Sequence, residues 1–183
     1  MISRSLTQPR TRRLLAPALA LATIAAVALA SWMIAGPSLV HAGHGLPHGT
    51  ILTQGSFVEP TDIKIKSTLG GDFRVMNVKD SDQVIVQQVT VDPGAQTGWH
   101  SHHGPVVVVV AAGTMTLYQA DDPTCTGEEY TAGEVFVDPG QGNVHNARNE
   151  GTDGVVLYAT YFDVPPGAGP ALPGTNPGTC SGF

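Results

Sequence analysis

The chain has 183 residues with a formal net charge of −6, two cysteines, 22 glycines and 14 prolines. That length suits one domain able to bury a sizeable core. The acidic balance, with no basic stripe, argues against nucleic acid and anionic membrane surfaces as partners.

Residues 1–42 read as a signal peptide. Arg4, Arg10, Arg12 and Arg13 form a basic leading region, residues 14–34 are almost wholly apolar, and Val40-His41-Ala42 is a small-x-small exit. Cleavage is therefore expected after Ala42. Thr11-Arg12-Arg13-Leu14-Leu15 loosely resembles a twin-arginine signal. The apolar run is long for a signal, so an uncleaved membrane anchor is the alternative. Secretion is the preferred address. The remaining stretch carries all 15 acidic residues but only Lys64, Lys66, Arg74, Lys79 and Arg148 among the basic ones, for a charge of about −10.

Residues 43–72 read as a leader followed by N-terminal strands. Residues 43–50 are expected to be loose, and a freed amine with His44 would chelate copper weakly at best. Residues 73–79 and 83–91 show partial alternation. In the second of these the parity slips at Gln87-Gln88, for which a β-bulge is the expected reason. Strands are expected over residues 106–112, 114–120, 128–131, 134–138, 144–149 and 154–164, separated by Gly, Pro, Asp and Asn clusters. Val106–Val110 is five valines, a run of high β-propensity. Sustained helical periodicity is absent after residue 43. Residues 165–183 read as a Pro/Gly-rich C-terminal tail. About ten short strands at this spacing make an all-β sandwich or barrel over residues 73–164.

Cys125 and Cys180 both follow the expected cleavage site. An even pair in an exported chain reads as a disulfide, here tying the tail to the loop that holds Cys125. Free thiols or a metal thiolate are the alternatives.

His100 and His102 lie one residue apart, so in extended backbone both imidazoles leave the same face. They supply half of a metal site, and His145 is the candidate for the other half. The seven histidines divide sharply: three fall in the signal or leader, and the rest are His100, His102, His103 and His145. Three neutral imidazoles would bind zinc, copper, iron or nickel and leave a coordination position open. Read without a metal, they are hydrogen-bonding histidines at a barrel mouth.

Two motifs carry a resemblance. Gly94, five residues, His100-Ser101-His102, three residues, Val106, six residues and Gly113 form the first. Gly133, five residues, Pro139-Gly140-Gln141-Gly142, two residues, His145, three residues and Asn149 form the second. In order and spacing these resemble the paired motifs of the cupins, with one extra residue between Pro139 and Gly142. The resemblance implies a single-domain cupin double-stranded β-helix, a jelly-roll barrel. It also implies a metal held by His100, His102 and His145, a small-molecule ligand or substrate, and the option of a homodimer through edge strands.

The departure from the pattern is Val106, where cupins commonly carry a glutamate ligand. A valine supplies neither charge nor a proton acceptor, so the site is neutral and all-nitrogen. Cupin-type thiol dioxygenases use iron(II) in three-histidine centres of this sort. His103 should leave the opposite face, and with Arg148 and Asn149 it is a candidate for supporting the ligands rather than a ligand itself. Asp138, before Pro139, reads as a turn residue. Trp99, Tyr118, Phe136, Tyr158 and Tyr161 read as barrel core or pocket lining. The chain is thus expected to be an exported metal-binding cupin, either a metal-dependent oxygenase acting on a small molecule or a non-catalytic binder of one. Its sequence offers no convincing general base.

Overall fold

The structure, a computed structural model, describes residues 47–69, 72–180 and 182–183. The expected signal peptide, its twin arginines, the cleavage point and His44 lie outside the described residues.

Twelve strands and no helix occur among the described residues: β1 (His48–Ser56), β2 (Ile63–Leu69), β3 (Asp72–Val78), β4 (Gln83–Val91), β5 (His100–Ser101), β6 (Val106–Ala112), β7 (Thr114–Gln119), β8 (Glu128–Thr131), β9 (Val135–Asp138), β10 (His145–Arg148), β11 (Val155–Val164) and β12 (Leu172–Pro173). They form two five-stranded sheets, β1-β4-β11-β6-β9 and β12-β5-β10-β7-β8, with β2 and β3 pairing as a separate hairpin. Every pairing is antiparallel. This is the expected all-β double-stranded β-helix.

The valine run shows why the sheets close on one another. Val106, Val108 and Val110 are 1%, 7% and 0% exposed and point inward, whereas Val109 is 38% exposed on the outer face. Branching at Cβ favours the strand on both faces. Inward residues of the two sheets, among them Ile85, Met115, Leu117, Phe136 and Leu157, meet in one core cluster. Each such side chain contributes roughly 1.5–3 kcal/mol by leaving water, which fixes the register of every strand with an inward face.

Two expectations change at the N-terminal side. β1 starts at His48, so part of the expected loose leader is strand. Its nine residues are all exposed, because it adds to the edge of the first sheet and not to the core. The expected bulge at Gln87-Gln88 is absent. β4 pairs with β11 without a break from Ile85 to Val91, and the irregularity sits on β1, where Leu52 is skipped between Ile51 and Thr53. Parity in β4 is continuous, with Ile85, Gln87, Val89 and Val91 on one face. Gln87 is a polar residue on that inner face, and Val84 and Val86 are apolar residues on the outer one. The slip in the sequence pattern comes from side-chain choice, not from the backbone.

The tail is tied down, as the cysteine pair implies. β12 pairs with β5, and Cys125 and Cys180 are joined across 55 residues of sequence. A loop of that size contributes about 4 kcal/mol in the chain-entropy account of disulfides.

Candidate metal centre

His100 and Ser101 form β5, and His145 opens β10 directly opposite, with His145 and His100 as register partners. Ser101 is buried on the other side, and His102 follows on the face of His100. The three rings converge: centroids are 4.9 Å apart for His100 and His102, 4.3 Å for His100 and His145, and 5.1 Å for His102 and His145. One ring nitrogen from each lies within 4.8 Å of the other two, the only such grouping of His, Cys, Asp and Glu among the described residues.

The opposite nitrogens are all occupied. His100 Nδ1–H donates to Gly98 O at 2.8 Å and His102 Nδ1–H to Pro170 O at 2.8 Å. His145 Nδ1–H faces Asp138 Oδ2 at 3.1 Å and Asn143 O at 3.3 Å. A carbonyl oxygen can only accept, so each Nδ1 must carry the proton and each Nε2 keeps its lone pair. Fixing the tautomer through the second nitrogen is how histidine ligands are prepared for a metal. Burial, then the neighbouring His145, pushes the His100 imidazole down to about 3, and the same two causes push His102 down to about 4. Both are neutral near pH 7, as metal ligands must be.

Asp138 is the residue that sequence reasoning undervalued. It does make the expected turn, its Oδ1 accepting from Gly140 N–H at 2.7 Å. It is also 1% exposed, and its Oδ2 accepts from Asn143 Nδ2 at 3.0 Å as well as facing His145. Burial alone would raise its carboxyl, but the His145 and Gly140 hydrogen bonds and the facing imidazoles outweigh this and hold it below the usual range. A carboxylate behind a histidine raises the ligand's basicity. Nothing in the local sequence separates such an Asp from an ordinary turn Asp before proline.

The extra residue in the second motif is absorbed by backbone. Gly140, Gln141 and Gly142 have φ of 60°, 53° and 90°, a left-handed run that brings the loop back to β10. A Cβ on Gly140 would fall 1.9 Å from Gly104 O, so this turn and the one after His103 can touch only through glycine. Gln141 N–H then donates to His102 O at 2.9 Å and joins the two motifs.

Val106 is 1% exposed and lines the chamber beside the histidines. Its register partners are Asp138 on β9 and Tyr161 on β11. That chamber, about 60 Å³, is walled mostly by apolar side chains such as Val108, Leu117, Phe136 and Leu157. Above it a mouth of about 330 Å³ is lined by Gln87, Val89, Thr97, Tyr161, Pro170 and the first two histidines, among others, with no charged side chain. Burial, with the Asp138 charge, pushes the Tyr161 phenol up to about 12, so it stays neutral.

The other candidates lie elsewhere. His103 is outside the cluster, and its buried Nε2 has no partner among the described residues. Arg148 is on the opposite face of β10 from His145 and Ala147; it pairs with Glu150 at 3.4 Å and lies over the Phe183 ring at 5.3 Å. Asn149 is fully buried but holds a turn, donating to Val91 O and Asp153 O at 2.9 and 2.8 Å. Alternation along the strand takes Arg148 away from the site, and the turn engages Asn149 fully. Of the aromatics, Phe136 and Tyr161 line the chamber, Trp99 and Tyr118 pack on Phe183 outside the barrel, and Tyr158 is 40% exposed. Glu134 caps a turn at Thr131, and Gln141 Nε2 bonds Asn77 O.

Two sheets closed around inward histidines are matched in sequence: residues 87–169 fit the family model described as Cupin domain. The chain carries a cupin domain. Among solved structures, a Cupin 2 conserved barrel domain protein from Salinispora arenicola CNS-205 is 25% identical over 42% of this chain and 60% of its own, with a TM-score of 0.37. This chain therefore spans less than two thirds of that protein. A cupin domain from Bordetella pertussis Tohama I is 22% identical over 59% of this chain and 99% of its own, with a TM-score of 0.39. The polyketide cyclase RemF from Streptomyces resistomycificus is 21% identical over 51% of this chain and 64% of its own, with a TM-score of 0.41. No curated protein matches the chain.

Proposed function

We propose that this cupin is an exported protein that binds one divalent transition metal through His100, His102 and His145. The metal would be presented to a small molecule entering by the uncharged mouth. The observation that carries this reading is the set of three converging imidazoles whose Nδ1 atoms are all engaged. The donor set fits zinc, iron(II), copper or nickel, which imidazole suits. When bound, such an ion supplies Lewis acidity and an open coordination position. The chain's own residues do the rest. With Val106 in place of a carboxylate, the only negative charge near the ion among the described residues would be Asp138, one step removed behind His145, and the apolar chamber beneath the histidines admits only molecules of a few atoms. Gln87 and Tyr161 at the mouth offer polar contacts to a neutral compound. These features suit an oxygenase acting on a small molecule.

A second reading, a non-catalytic binder, is favoured by one observation. Asp138 is fully engaged and Tyr161 stays neutral, so the chamber holds no free general base. Export is supported by the Cys125–Cys180 disulfide, which suits an oxidising compartment. No helix among the described residues is long and apolar enough to cross a membrane.

Calorimetric titration with Zn²⁺ should give one equivalent for the full chain and none for His145→Ala. Equal binding by both would contradict the ligand set. The iron(II)-loaded chain should then consume oxygen with some member of a panel of small neutral compounds. A ligand-dependent rise in melting temperature without oxygen uptake would instead select the binder.

A further inference from the structure

The Nδ1 acceptor of His102 comes from outside the barrel motifs. It is the carbonyl of Pro170, 68 residues further on in the tail. The same tail segment pairs Leu172 with Ser101 and Pro173 with His100, and Gly174 N–H donates to Trp99 O at 2.9 Å. A Cβ on Gly174 would lie 3.1 Å from both N and Cα of His100 and 2.7 Å from Val144 Cγ1, so the strap runs directly against the ligand strand. Pro170 and Ala171 also form part of the mouth.

We propose that residues 170–174 are a positioning strap that completes the metal centre, and that the disulfide and the C-terminal Phe183 are the pins that hold it there. This rests on the three-histidine reading. The strap is weakly held by itself: β12 is two residues long, and ordering each residue of an irregular tail costs about 1–2 kcal/mol of backbone entropy. The pins offset that cost. Cys180 is joined to Cys125, and the Phe183 ring packs 5.9 Å from Trp99, 4.7 Å from Tyr118 and beneath Arg148. Unpinned, the strap frays, and His102 loses the acceptor that fixes its tautomer and ring plane. Loss of such an outer partner typically weakens a metal site about 10–100-fold. The coupling is reciprocal, since whatever docks the strap favours the metal and the metal must favour the docked strap.

The test uses Zn²⁺ and the oxidised full chain beside two variants. Cys125→Ser/Cys180→Ser removes a pin; Gly174→Ala pushes the strap off His100 and leaves the disulfide intact. Both should bind zinc about 10–100-fold more weakly while keeping a cooperative thermal unfolding transition. In the wild-type chain, zinc should slow hydrogen exchange at the Gly174 amide. Zinc affinity within threefold or so of wild type in both variants, or a Gly174 amide indifferent to zinc, would overturn the strap. If one variant does not fold, the other and the wild-type exchange measurement decide. A wild-type chain that binds no zinc would overturn the metal centre itself and the strap with it, which separates the two failures.

Discussion

At the scale of single residues, two side chains set the character of the centre. Val106 withholds charge from the chamber wall it shares with the histidines, and Asp138, its partner across β6 and β9, supplies charge one step removed, behind His145. Val106→Glu should therefore do two things. In the metal-free protein it places a carboxylate opposite a buried carboxylate in an apolar chamber, and the melting temperature falls. With metal, the added oxygen ligand should improve manganese binding relative to zinc by about tenfold or more, since carboxylates suit manganese better than imidazoles do. Competitive titration of the two ions measures the ratio. An unchanged ratio would mean that the side chain at 106 does not reach the ion, and that the centre lies closer to the mouth.

At the scale of elements, the barrel was legible where chemistry repeats along the strand. The valines of β6 and the alternating β11 declare themselves, because β-branched side chains on an inward face need no partner to be recognised. The motif spacing likewise brought out His100, His102 and His145. Two kinds of feature escaped. β12 and the start of β1 take their structure from pairing with β5 and β4, and nothing in Leu172-Pro173 or in His48-Gly49 favours a strand alone. The contacts that prepare the histidines also escaped, because Gly98, Asn143 and Pro170 contribute backbone carbonyls, which every residue possesses. Gln87 is the instructive case between. Its break in the pattern was visible, but a polar residue facing a pocket and a bulge leave the same trace in one sequence. The bridge of Cys125 to Cys180 was legible from the parity of cysteines in a chain read as exported.

At the scale of the molecule, the site imposes a cost that pH exposes. His100 and His102 are pushed down to about 3 and about 4 in the folded chain, against 6.5 when free. Between those values the unfolded chain binds more protons than the folded one, so stability rises with pH there. The contribution is complete above pH 6.5 and is lost as pH falls toward 4 and 3. Thermal melting of the metal-free protein should accordingly drop as pH is lowered from 7 to about 4, and His100→Ala/His102→Ala should flatten the dependence. A wild-type curve that stays level down to pH 4 would show that these imidazoles are more exposed to water than the structure has them. The most direct measurement is the metal content of protein recovered from an oxidising compartment, by mass spectrometry, beside His100→Ala. One equivalent of iron, copper, zinc or nickel in the wild type and none in the variant is the expected result. No metal in the wild type after reconstitution, or equal metal in both, would contradict a three-histidine centre.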